Sequence, residues 1–245
     1  MKSRKSRIDL LLVERGLAET RTQAQALILA GEVFIGERRA DKPGSLVPTD
    51  APLRLKEKLR YVSRGGLKLE QALRELAIPV EGKVCADIGA STGGFTDCLL
   101  QAGARKVYAI DVGHGQLHWR LAADPRVVSR EGVNARYLSE AELPEEVDLA
   151  TIDVSFISLT QVLPAVLRRL RPGGTVIALV KPQFEVGRSK VAKGGVVRDA
   201  AAREESIQKI VAFLEREGLR VLGKLDSPIA GPAGNIEALV AARKS

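Results

Sequence analysis

Residues 84–111, VCADIGASTGGFTDCLLQAGARKVYAID, decide the fold. An apolar run, Val84 to Ile88, ends in a turn of small residues from Gly89 to Gly94 that opens a helix-length stretch, and a second apolar run closes on Asp111. Strand, glycine turn, helix and strand make a βαβ unit, the building block of a mostly parallel sheet whose ligands bind at the C-terminal ends of the strands. Glycines let a ligand approach the backbone, and a carboxylate 22 residues beyond Gly89 can accept both hydroxyls of a ribose. The spacing predicts a nucleoside-bearing cofactor, with Asp87, Gly89, Ser91, Gly93 and Asp111 as its candidate ligands. Ser91 occupies the second glycine position of the dinucleotide fingerprint, where a pyrophosphate needs its closest approach, so adenosine without a pyrophosphate fits better. The stretch GASTG also reads as a G-x-S-x-G nucleophile elbow, but that hydrolase order needs a late histidine and none follows His118.

Downstream the alternation continues, with apolar runs at 127–128, 148–153, 175–180, 220–225 and 236–241 and helix-length segments between most of them. In such a sheet the residues at the strand ends carry the chemistry. They are Asp153 after the fourth strand, Lys181 after the fifth and Glu237 at the start of the last. With Lys68, on a helix that Ser63 can cap, they make the order Lys, Asp, Lys, Glu. Asp153 and Lys181 adjoin central apolar strands, where uncompensated charge is expensive, so paired charges there point to a site. Asn134, after the third strand, is a further cofactor candidate. The glycine-containing segment 183–198, with Arg188, Lys190, Lys193 and Arg198, reads as a mobile substrate loop.

Upstream, charge is concentrated. The 245 residues carry a net charge of +8, of which residues 1–62 hold 13 Lys/Arg against 8 Asp/Glu. That excess favours a polyanionic partner. The same segment shows a short helix at Ile8, Leu11 and Leu12, a second from Arg21 to Ala30 capped by Thr20, and short extended pieces at 33–35, 46–47 and 53–55 among Gly and Pro residues. No apolar stretch approaches a membrane span, and the N-terminal apolar run is too short for a signal peptide. Two cysteines in a chain this long make no disulfide framework, which fits a cytoplasmic protein. His114 and His118, the only histidines, lack the further ligands of a metal site, so no metal is expected.

Two stretches, RIDLLLVERGLAETRTQAQALILAGEVFIG and KPGSLVPTDAPLRL, resemble the RNA-binding domain named for ribosomal small-subunit protein four. The resemblance implies that the helix pair docks on structured RNA, with Arg4, Lys5, Arg7, Arg15, Arg21, Arg38 and Arg39 as candidate phosphate contacts. Further along, SRGGLKL, DIGASTGGFTD, YAIDVGHGQLHWRL, EGVNAR, IDVSFISL, VKPQFEVGR and GPAGNIE are similar to the TlyA family, and the last two thirds of the chain to FtsJ-type ribose methyltransferases.

This resemblance implies an α/β, Rossmann-like seven-stranded sheet with its last strand antiparallel, behind a small α+β RNA-binding domain. The expected division is residues 1–58, a connector at 59–63 and a catalytic domain at 64–245. It further implies S-adenosylmethionine as cofactor, methylation of the 2'-hydroxyl of cytidine in ribosomal RNA, ribosomal RNA or ribosomal subunits as partners, and Lys68, Asp153, Lys181 and Glu237 as the catalytic tetrad. A ribose hydroxyl is a poor nucleophile and needs a base and a fixed position. Lys181 is expected as that base, Asp153 as its orienting partner and Glu237 as the partner of Lys68, with Arg188 as an RNA contact. Two alternatives stand beside this. A base amino-methyltransferase would keep prolines where this chain has Asp153-Val154-Ser155-Phe156, and a membrane-acting haemolysin is suggested by the name some TlyA relatives carry.

Overall fold

The computed structural model describes residues 4–56 and 60–245. They fall into two compact units that divide between residues 58 and 59. In the first, β1 (Lys5–Arg7) leads directly into α1 (Ile8–Glu14), and α2 (Arg21–Leu29) packs beside it. Thr20 caps α2 by accepting the Gln23 N–H at 3.2 Å. β2 (Val33–Ile35), β3 (Arg38–Arg39), β4 (Leu46–Pro48) and β5 (Leu53–Leu55) follow, making a two-stranded sheet β1-β4 and a three-stranded sheet β3-β2-β5. Ile8, Leu11, Leu12, Ala24, Ile28 and Val33 close the core. β1 and β3 carry no apolar alternation, so periodicity could not find them; pairing with β4 and β2 creates them.

The second unit opens with α3 (Gly65–Glu75), then β6 (Val84–Ile88), α4 (Gly94–Gln101), β7 (Lys106–Ile110), α5 (Trp119–Ala122), β8 (Val127–Arg130) and β9 (Val147–Ile152). It continues with α6 (Leu159–Arg168), β10 (Leu170–Val180), α7 (Pro182–Glu185), α8 (Ala200–Arg216), β11 (Leu219–Asp226) and β12 (Ala238–Lys244). The strands form one seven-stranded sheet in the order β11-β12-β10-β9-β6-β7-β8. β12 runs antiparallel to β10 and β11, and the other pairings are parallel, the Rossmann-like arrangement expected from the sequence.

β6 is buried along its whole length because helices cover both faces of the sheet. Leu159, Val162, Ile207 and Ile210 of α6 and α8 fill one side, and Leu69, Ala72, Cys98 and Leu99 of α3 and α4 fill the other. Chain order reverses between β6 and β9, so a crevice opens there at the strand ends.

Three local expectations are corrected. Residues 60–63, read as part of a connector whose first residue Leu59 lies outside the described residues, belong to the second unit. Tyr61 is buried in its core, and the Val62 N–H donates to Asp97 Oδ2 at 2.8 Å. Ser63 does not cap α3; Arg64 stands at the cap position without a side-chain bond, and Ser63 Oγ lies where a Cβ on Gly94 would come within 2.2 Å. β12 continues to Lys244 through Ala241-Ala242-Arg243, a weak strand sequence made extended by pairing on both edges.

Candidate active site

Strand ends deliver the site. Asp111 follows β7 directly, Asp153 follows β9, Lys181 follows β10, and Glu237 precedes β12. Because β12 is inverted, its start lies at the same edge as the ends of the parallel strands.

Two cavities open along this edge and share a wall made by Gly89, Ser91 and Asp153. One, of about 450 Å³, is lined by Asp111, Asn134 and apolar residues including Ile110, Val133 and Val162. Asp111 spans its floor. Its Oδ2 accepts the Ser91 N–H at 2.8 Å and its Oδ1 the Gly113 N–H at 2.7 Å, which leaves a further lone pair on each oxygen for a ribose hydroxyl. Gly89 holds φ at +84°, and a Cβ there would stand 2.4 Å from the Asp153 carbonyl oxygen, so only glycine fits between strand ends this close. An apolar slot beside a carboxylate, entered past a bare backbone, fits an adenosine-bearing group.

All four residues of the Lys-Asp-Lys-Glu order line the other cavity, together with Arg64, Thr92, Phe95 and the turn at Ile229, Ala230 and Pro232. They stand as two pairs. Lys68 Nζ donates to Glu237 Oε2 at 2.5 Å in a nearly closed environment. Lys181 Nζ lies 2.6 Å from Asp153 Oδ1, off the hydrogen-bond direction, and donates to Ser155 Oγ at 2.8 Å. The loop after β9 is clipped to the turn after β10 by Glu185. Its buried carboxylate accepts from Ser158 Oγ at 2.6 Å, the Leu159 N–H at 2.7 Å and Lys209 Nζ at 2.9 Å. In the sequence Ser155 and Glu185 read as ordinary polar residues; only the fold brings Ser155 to Lys181 and Glu185 to the loop that carries Asp153. Phe156 follows Ser155 in the same loop. It holds φ at +64°, is 91% exposed beside the ring of Phe184, and lines the adenosine-sized cavity.

Two cofactor candidates do not reach either cavity. Asp87 is fully buried and accepts from Thr96 Oγ1 at 2.7 Å and Thr151 Oγ1 at 3.2 Å. Burial without a cation pushes its carboxyl up to about 7, with Asp153 adding to the rise and the threonines opposing it. Gly93 instead admits the next helix: a Cβ there would come within 2.3 Å of Leu121 Cδ1.

The candidate phosphate contacts also divide. Asp9, fully buried, accepts from Arg7 Nε and Nη2 at 3.0 and 2.8 Å, and from Arg21 Nε and Gln25 Nε2 at 3.0 Å each. Arg7 chiefly holds the Asp9 carboxyl well below the usual range. Arg15 donates to the Ala51 carbonyl at 2.6 Å and to that of Thr49. These three arginines brace the first unit. Lys5 and Arg38 are exposed and make no ion pair among the described residues, while Arg39 stands 3.9 Å from Asp41 and Arg4 has partners of its own.

Arg188 is exposed. The expected mobile loop around it is tied at both ends, by Glu185 and by Asn235, which accepts the Val197 N–H at 2.9 Å and donates to the Gly195 carbonyl at 2.8 Å. Among the described residues no helix is long and apolar enough to cross a membrane.

A Rossmann-like sheet whose adenosine-sized cleft abuts two lysine–carboxylate pairs defines a group-transfer enzyme using a nucleoside cofactor. Residues 61–244 match the model of the FtsJ-like methyltransferases and residues 6–51 that of the S4 domain. YqxC of Bacillus subtilis (strain 168), named as a candidate rRNA methyltransferase, is 52% identical over 98% of this chain and 86% of its own length. The 16S/23S rRNA (cytidine-2'-O)-methyltransferase TlyA of Mycobacterium tuberculosis is 46% identical over 96% and 88%. A solved structure of a candidate hemolysin from Streptococcus thermophilus superposes with a TM-score of 0.76 at 48% identity, covering 98% of this chain and 89% of that one. The chain belongs to the TlyA family, FtsJ-like methyltransferases with an S4 domain ahead of the catalytic unit.

Proposed function

We propose that this chain transfers a methyl group from S-adenosylmethionine to the 2'-hydroxyl of cytidine in ribosomal RNA. The observation that carries the reading is the shared wall: Gly89, Ser91 and Asp153 face both cavities, so a hydroxyl held at the lysines abuts the end of the cofactor cleft. Asp111 holds the cofactor's ribose, Asn134 lies beside its adenine, and Gly89 and Ser91 border its methionine part. When bound, the cofactor supplies a methyl group on a positively charged sulfur.

The chain's own residues place and activate the acceptor. Lys181 Nζ, as the neutral amine, takes the proton of the 2'-hydroxyl and becomes the ammonium, and Asp153 and Ser155 fix where that nitrogen points. Glu237 keeps Lys68 in place at the opposite wall and balances its charge. The S4 unit grips ribosomal RNA foremost through Lys5 and Arg38, with Arg4 and Arg39 as further contacts, and Arg188 contributes from the catalytic unit. The TlyA relative, named for the cytidine 2'-oxygen, favours ribose over a base amine as acceptor. Such a substrate is met in the cytoplasm, on ribosomal subunits or their RNA.

Lys181→Ala is expected to lower methyl transfer to ribosomal RNA by about 10²–10⁴-fold while S-adenosylmethionine still binds, as measured with labelled cofactor and by calorimetry. Undiminished turnover in that variant would remove Lys181 from its role.

A further inference from the structure

The chain has a single tryptophan, Trp119, and the fold leaves it 73% exposed. An indole combines a large apolar face with rigidity, which makes it one of the most effective contact residues when a partner covers it. Its position here is fixed. Leu121, two residues on and on the opposite face of α5, is buried against Gly93, and the His118 N–H donates to the Thr92 carbonyl at 3.1 Å. His118 Nδ1 accepts the Arg120 N–H at 3.2 Å, and its ring stacks on the indole with centroids 5.7 Å apart and planes 28° from parallel. The imidazole therefore backs the indole and leaves most of it to solvent.

Thr92 lines the lysine cavity, so this aromatic pair stands on the cavity's rim. Arg64, which lines the same cavity, and Arg120 are both exposed, and neither makes an ion pair among the described residues. A fixed aromatic face beside free guanidinium groups matches an unpaired nucleotide, whose base stacks while its phosphates meet the cations.

We infer that Trp119, backed by His118, is a stacking platform for an unpaired RNA base close to the target nucleotide, with Arg64 and Arg120 taking neighbouring phosphates. The inference rests on the RNA-methylation reading above and gives the catalytic unit a substrate contact outside the tetrad.

As the only tryptophan, Trp119 makes intrinsic fluorescence a report on this one place. Titrating the full chain with purified bacterial ribosomal RNA is expected to quench the emission in step with binding. Trp119→Ala should raise the KM for RNA roughly tenfold, and Trp119→Phe, which keeps an aromatic face, should recover most of that loss. Emission unchanged by RNA that the wild type does methylate, or an unaltered KM in Trp119→Ala, would overturn the platform alone. A spectral shift with phosphatidylglycerol vesicles and none with RNA would overturn it in favour of a membrane contact. Failure of the wild type to methylate any ribosomal RNA would instead overturn the reading on which it rests.

Discussion

The two lysine–carboxylate pairs of the candidate catalytic cavity are alike in chemistry and unlike in enclosure. Lys68 and Glu237 lie 2.5 Å apart with 10% and 1% of their side chains exposed, whereas Lys181 and Asp153 lie 2.6 Å apart with 12% and 23% exposed. The closed pair ties α3 to the turn before β12. The open pair includes Asp153, which faces both cavities. A pair shut away from water is stabilised by its partner and costs much to break, while a pair at an open wall can exchange contacts with a substrate. The same residue types thus divide between a pair that ties the cavity wall together and, on the proposed reading, a pair that meets the substrate. Asp87 adds a third case: a carboxylate given two threonine hydroxyls in place of a lysine, whose charged form is disfavoured.

Mutating one member of each pair separates the two roles. Lys181→Ala should produce the large activity loss already described with little change in folding. Glu237→Ala should lower the unfolding free energy by about 3–5 kcal/mol, read from denaturant titration, because Lys68 is left buried without its counter-charge. Equal stability in the two variants would erase the division between closed and open pair.

Asp87 gives the next largest effect, through pH. Its folded value, about 7, lies above the ordinary 3.8, so the native state holds this proton more tightly than the unfolded chain. The advantage is fully present below about pH 4 and is lost as pH rises towards 7, lowering stability by a few kcal/mol across that window. Asp87→Asn should flatten this slope in urea titrations between pH 4 and 8. Glu185→Gln is expected to have the smallest effect, a loss of about 2 kcal/mol in stability with reduced methyl transfer, because it loosens the clip between the loops carrying Asp153 and Lys181.

That Asp111, Asp153 and Lys181 would meet at one sheet edge was legible because a parallel sheet forces its ligand edge onto the positions after each apolar run. Asp87 was misplaced because β6 is buried on both faces, so its sequence carries no alternation to say which way a side chain turns. Arg7, Arg15 and Arg21 looked free because their partners are set by tertiary packing: Asp9 is buried by the helix pair, and the Thr49 and Ala51 carbonyls lie more than 30 residues away. Glu185 and Ser155 follow the same rule, since a clip between two loops exists only once β9 and β10 are side by side. The exposure of Trp119 is not legible in YAIDVGHGQLHWRL, because it depends on Leu121 taking the inward position on a one-turn helix.

The identity of the methylated nucleoside decides whether the lysine cavity takes a ribose hydroxyl. The full chain would be incubated with labelled S-adenosylmethionine and isolated bacterial small and large ribosomal subunits, and the RNA digested to nucleosides. The predicted product is 2'-O-methylcytidine from the wild type and almost none from Lys181→Ala. Label on a base atom, or ribose methylation undiminished in Lys181→Ala, would contradict it.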